Sequence, residues 1–178
     1  MLIRPATPGD TQCFLGVERE AFGGDEEAAL VSALLADLSA VPIINLVAEE
    51  NGTIVGHVLF THAIARTPYA DVDATCLAPL AVAPTFQRRG VGQALCSAGI
   101  ATAAELGIGL VFVLGHIDYY PRLGFRPASP LGLLAPYPID PKVADAWMVL
   151  ETEPGLLGKV QGTVICADSL MSPEMWVE

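Results

Sequence analysis

Leu77 to Phe125 reads LAPLAVAPTFQRRGVGQALCSAGIATAAELGIGLVFVLGHIDYYPRLGF, and this stretch decides the fold. It begins as an apolar strand, expected over Asp73–Val82, but carries Pro79 inside it. Proline donates no ladder hydrogen bond and is tolerated in strands mainly at edges and bulges. A strand interrupted there frees N–H and C=O groups of Leu80, Ala81 and Val82, and free strand amides can hold an extended, amide-bearing ligand. The alternative is a bulge that only curves the sheet. A helix of about sixteen residues starts near Gly90, with Val91, Leu95, Ala98 and Leu106 at helical spacing. Its N-terminus carries Gln87-Arg88-Arg89 where the helix dipole favours acidic or hydroxyl residues. Gly90 and Gly92 add about 1 kcal/mol each against alanine where they fall within the helix. Both costs are explained if free amides wrap a phosphate; the other reading is a solvated basic turn. A Walker loop is excluded because no Gly-Lys-Ser/Thr follows. A dinucleotide fingerprint fails as well, since polar residues and not a strand precede Gly90. Ile108–Leu114 is an apolar strand of the kind buried on both sheet faces.

Outward from this stretch, the period of the pattern assigns the rest. Met1–Ala6 reads as a strand, and Thr7-Pro8-Gly9-Asp10 as a helix start with Thr7 at the N-cap and Asp10 closing a capping box. Phe14, Leu15, Glu18 and Phe22 fall along one side of the first helix. A second helix is expected over Asp25 to about Leu38, with Leu30, Leu34, Leu35 and Leu38 buried. Ile44–Glu49 and Thr53–His62 are strands joined by Asn51-Gly52, a type I′ hairpin signal. Ala146–Glu151 and Gly162–Ala167 complete the strands. The pattern is α/β with a mixed sheet in a single domain over 1–178: a core to about 151, then a C-terminal extension, 152–178, of undefined structure.

Composition narrows the function. The 178 residues are 52% hydrophobic and 16% charged, which excludes a disordered chain. A net charge of −11 argues against nucleic acid as a partner. No apolar run approaches a membrane span, no apolar leader follows Met1, and the four cysteines suggest neither zinc nor disulfides. The expectation is a cytoplasmic protein with no metal.

The long stretch resembles the GCN5-related N-acetyltransferase (GNAT) superfamily. Its phosphate motif, Gln/Arg-x-x-Gly-x-Gly/Ala, stands as Gln87-Arg88-Arg89-Gly90-Val91-Gly92, after a Leu-Ala-Val-x-Pro strand end at Leu80–Pro84. The turn Tyr119-Tyr120-Pro121-Arg122-Leu123-Gly124-Phe125 is similar to that of the YhbS-like bacterial subgroup. The resemblance is sharpest over about fifty residues, and the order of elements from Met1 to Glu151 fits it. It implies a mostly antiparallel central sheet splayed at a bulge near Pro79 and flanked by helices. It further implies transfer of an acetyl group from acetyl-CoA to a primary amine, by direct attack in a ternary complex. By carry-over, the amides of Arg88, Arg89, Gly90, Val91, Gly92 and Gln93, with Gln87, bind the pyrophosphate. The main chain of Leu80 and Val82 holds the pantetheine arm, and an N–H near Ala81 or Val82 stabilises the oxyanion. Tyr120 matches the general acid, with packing under the Gly124-Phe125 turn as its alternative role, and Tyr119 chiefly packs.

The general base does not transfer, because Cys76 stands where family members often place a carboxylate. Its apolar surroundings disfavour Cys76 as a nucleophile. Asp73, Glu18, Glu20 and His116 remain as candidates, His116 well placed just before the tyrosine turn, beside a water chain. His57 and His62 read as half-exposed or packing residues. Trp147 and Trp176 either line an acceptor pocket or cap a core. The acidic group Glu18, Glu20, Asp25, Glu26 and Glu27 suits a cationic amine or a solvated face equally. The acceptor, small molecule or peptide, stays open, as does a homodimer. A non-catalytic acyl-CoA-binding or regulatory module is the alternative function. A nucleotide-dependent enzyme of another fold would bind ATP or NAD and ignore CoA.

Overall fold

Asn51 and Gly52 take φ values of 51° and 78°, the left-handed pair a type I′ turn requires, and from this hairpin the sheet grows. In the computed structural model, which describes residues 1–176, the elements follow the expected order closely. Strand β1 (Leu2–Pro5) leads to helix α1 (Thr11–Phe22) through a short turn in which Asp10 takes the Thr7 main-chain N–H at 2.7 Å. Helix α2 (Glu26–Ala36) precedes β2 (Ile44–Glu50), β3 (Thr53–Arg66) and β4 (Val72–Val82). Helix α3 (Val91–Glu105) and β5 (Leu110–Leu114) follow, then the short β6 (Arg126–Pro127) and β7 (Leu133–Leu134), β8 (Trp147–Glu151) and β9 (Gly162–Cys166).

The sheet runs β1-β2-β3-β4-β5-β8-β6, antiparallel along this path except where β4 meets β5, and β7 pairs with β9 in parallel. The long β3 pairs with β2 along its first half, and with β9 over Ala63–Arg66. The last quarter, in which the sequence marked only the strand at Gly162–Ala167, is stitched to the sheet by that strand. Helices α1 and α2 pack one face with Phe14, Leu15, Ala28, Val31 and Leu34. Helix α3 packs the other with Val91, Leu95 and Cys96 against Val58, Phe60 and Leu77. Gly56 and Gly99 permit that contact: a Cβ at Gly56 would stand 2.9 Å from Leu95, and one at Gly99 would enter the Phe60 ring. This is a mixed α/β domain with a mostly antiparallel, open sheet flanked by helices.

Two buried stripes differ from expectation. On α2 the buried face is Ala28, Val31 and Leu34, while Leu35 is at the surface and Leu38 is 90% exposed. On α3, Leu106 lies beyond the helix end and is exposed. Both segments are apolar on nearly every side, so periodicity alone gives no phase. Of the two readings of Pro79, the bulge holds. Pro79 does not interrupt β4, which stays paired with β3 through Val82. Leu77 faces Phe60 and Leu80 faces Val58, so Ala78 and Pro79 together oppose Leu59, a bulge.

Candidate active site

Beside that bulge the sheet opens. Strands β4 and β5 pair at only three positions, Ala74–Leu110, Thr75–Val111 and Cys76–Phe112, then diverge. From Leu77 onward β4 retains β3 on one edge and loses its neighbour on the other. The edges alternate with the strand period. The Ala83 N–H donates to Val55 of β3, whereas the Val82 carbonyl turns away and accepts from Gln87 Nε2 at 3.0 Å. Period two gives Leu80 the same orientation as Val82, into the opening, and turns Ala81 toward β3. The expected freeing of all three residues therefore holds for one edge of Leu80 and Val82 only.

A cavity of about 690 Å³ fills the opening and runs through the sheet. On the α3 side it is lined by Gln87, Arg88, Gly90 to Gln93, Tyr119 and Tyr120; on the α1–α2 side by Phe22 and Glu27. The loop before α3 has an unusual backbone. Arg88 adopts φ 60° and Gly90 φ 83°, so left-handed residues alternate along the turn and their N–H groups form a concave nest. For Arg88 that conformation costs about 1–2 kcal/mol, strain of the kind stored at binding sites. Arg89 instead lies over the Phe86 ring, 5.2 Å from its centre.

Gly92 completes the cradle, because a Cβ there would stand 2.7 Å from the Tyr119 hydroxyl. That hydroxyl is buried with no hydrogen-bond partner among the described residues. Burial pushes the Tyr119 phenol up to about 12. Tyr120 lies edge-on to Tyr119 and to Phe125, at 5.0 and 5.6 Å, and burial raises its phenol further. Gly115 makes room for the Tyr120 ring, since a Cβ would approach it to 2.5 Å. The two tyrosine N–H groups hang from the His116 carbonyl at 3.0 and 3.3 Å, so His116 anchors the turn while its exposed side chain sits at the cavity wall.

The structure thus brings together Leu80, Val82, Gln87, Arg88, Gly90 to Gln93, His116 and Tyr120 around one cavity, with Ala81 and Arg89 adjacent in the chain. Of the four base candidates only His116 lines it. Asp73 and Glu20 are exposed elsewhere. Glu18 is fully buried, its Oε1 2.5 Å from His57 Nδ1, with His57 Nε2 2.9 Å from Asn45 Oδ1 and the Phe14 ring stacked on the imidazole. His57 is therefore neither half-exposed nor simply packed, but the centre of a buried polar pair. The one carboxylate that lines the main cavity among the described residues, Glu27, was indistinguishable in sequence from its acidic neighbours. Acidic residues suit the first turn of any helix, and that role masked it.

Comparison with known proteins follows from this geometry. A family model described as acetyltransferase (GNAT) family matches residues 13–125. The uncharacterized N-acetyltransferase YjhQ of Escherichia coli K12 is 44% identical over 155 residues, 85% of this chain and 84% of its own. Among solved structures, YhbS from Escherichia coli in complex with CoA superposes with a TM-score of 0.85 at 28% identity, covering 97% of this chain and 92% of that one. A GNAT family acetyltransferase from Brucella melitensis in complex with acetyl-CoA gives a TM-score of 0.74 at 26% identity, covering 95% and 97%. Among the described residues no helix is long and apolar enough to cross a membrane, and no cluster of ligating side chains could hold a metal ion.

Proposed function

The chain belongs to the GNAT acetyltransferase family, and on that premise we propose that it moves an acetyl group from acetyl-CoA to a primary amine by direct attack in a ternary complex. The observation that carries this reading is the nest at Arg88–Gly90 opening into the same cavity as the unpaired edge of β4. The amides of Arg88 to Gln93 hold the pyrophosphate, and the Leu80 and Val82 main chain takes the pantetheine amides as a missing strand would. The Val82 N–H donates to the acyl carbonyl oxygen, a contact worth a few kcal/mol where charge builds.

Tyr120 supplies the proton the departing thiolate needs. Burial keeps its phenol protonated at any physiological pH. The same desolvation raises the thiolate's own affinity for a proton. An alkylamine must lose a proton before it attacks, and His116, at the cavity wall, accepts it.

A second reading, an acyl-CoA-binding module without chemistry, is favoured by one observation: no carboxylate of β4 lines the cavity. Calorimetry with CoA, paired with thiol release from acetyl-CoA over a panel of amines, separates the two. Binding with release supports the enzyme, and binding without release for any amine supports the module. No binding at all removes both.

A further inference from the structure

A second chamber of about 200 Å³ adjoins the main cavity on its α2 side. Its walls are Leu30, Cys76, Leu170, Met175 and Trp176, together with Leu77, Ala78 and Leu114, which it shares with the main cavity. None of these residues is charged. Glu27 and Leu30 stand three residues apart on α2, hence on one face of the helix. Glu27 lines the main cavity and Leu30 the chamber. A carboxylate and an apolar recess thus lie side by side at the end of the cavity opposite the arginine-bearing nest.

The recess is built rather than incidental. Trp176 is buried, meets Trp147 edge-on at 5.3 Å, and donates from Nε1 to the Leu170 carbonyl at 2.8 Å. Asp37 fixes the segment before Leu170 by accepting from the Ser169 N–H and hydroxyl at 2.8 and 2.7 Å. Met175, 44% exposed, forms the outer lip. A dry cavity of about 150 Å³ is enough to hold a benzene ring.

Resting on the acetyltransferase reading above, we propose that the acceptor is an amphipathic amine. Its ammonium is held at Glu27 until deprotonation, and an aryl or branched-alkyl group of about six carbons occupies the chamber between Leu30 and Trp176. The transfer balances as an aminolysis: the amine nitrogen forms the new bond to the acyl carbon, the thioester bond breaks, and the thiol leaves with a proton.

The test compares 2-phenylethylamine with ethanolamine and spermidine as acceptors, in the parent and in Met175→Trp, which fills the chamber from its solvent side. The expected result is a kcat/KM at least tenfold higher for 2-phenylethylamine in the parent, and collapse of that preference by tenfold or more in the variant. Turnover in which ethanolamine or spermidine equals 2-phenylethylamine, or a preference unchanged in Met175→Trp, overturns the proposal. Should the variant not fold, Leu30→Ala enlarges the same chamber and is expected to shift preference toward 2-naphthylethylamine; no shift overturns it. Calorimetry of 2-phenylethylamine on the CoA complex separates this inference from the reading beneath it. Binding in the parent that is lost in Met175→Trp, without turnover, upholds the chamber and removes the reaction, whereas no binding in the parent overturns the chamber.

Discussion

Tyr120 and Glu18 are both buried, yet their burial serves different ends. Tyr120 borders the cavity, and in the proposed reaction its proton goes to the departing thiolate. Replacing Tyr120 with phenylalanine keeps the ring packing on Phe125 and removes only the hydroxyl. We expect kcat to fall about 10²–10⁴-fold, the usual reach of acid–base catalysis, with the CoA Kd unchanged by calorimetry; an unimpaired kcat would dismiss Tyr120 as the acid. Glu18 instead holds His57 inside the sheet–helix interface, and its second oxygen, Oε2, has no partner among the described residues. Glu18→Ala leaves a buried imidazole nitrogen without its partner and should cost about 1–3 kcal/mol in denaturant unfolding. Burial raises the Glu18 carboxyl above its ordinary value of 4.5, against the opposing pull of His57. A raised carboxyl stabilises the fold fully below its unfolded value and loses that contribution as pH rises through its folded value. The stability difference between the parent and Glu18→Gln should therefore shrink as pH rises above 4.5. Parallel pH profiles would contradict this. Nothing in the sequence signalled the pair, because Glu18 and His57 lie on different elements and meet only when α1 settles on β3.

Among the elements, the start of α3 was the most legible. Gly90 at φ 83° is where the helix needs a residue without a Cβ. Gly90→Ala should strain that turn by about 1–2 kcal/mol and weaken CoA binding roughly tenfold; an unchanged Kd would mean the loop does not shape the site. The strain at Arg88 was not legible, since a backbone angle leaves no mark on residue type. The end of α2 was equally opaque, and there Asp37 accepts from Ser39 and Ser169 and ties helix to C-terminal segment. These hydrogen bonds, with Ser39 first, hold its carboxyl well below the ordinary 3.8. A depressed carboxyl contributes stability above its unfolded value and loses it as pH falls toward the folded one. Tryptophan emission, reporting Trp176 and the Trp147 ring it meets, should accordingly hold steady down to about pH 3.8 and change below it. In Asp37→Ala the change should be present already at neutral pH, and identical titrations would discount the latch.

For the molecule as a whole, the decisive feature is that the C-terminal quarter packs onto and extends the sheet. Val164, Leu170 and Trp176 are buried beside Trp147, and β9 covers the edge of β3 at Ala63–Arg66. Each such side chain contributes about 1.5–3 kcal/mol, so together they approach a total stability of about 5–15 kcal/mol. A chain ending at Thr152 should lose cooperative unfolding and collect in the insoluble fraction; a soluble, sharply melting product would show the extension to be dispensable. Sequence alone determined whatever local chemistry enforces: the hairpin at Asn51-Gly52, the disturbance at Pro79, the glycine-bearing start of α3 and the tyrosine turn. Each depends on backbone geometry within a few residues. Tertiary structure alone decided which apolar face of α2 turned inward, which of five clustered acids reached the cavity, and that Trp176 walls a chamber while Trp147 fills the core. Those outcomes depend on contacts between residues far apart in the chain, and a helix apolar on nearly every side carries no record of its phase until something packs against it.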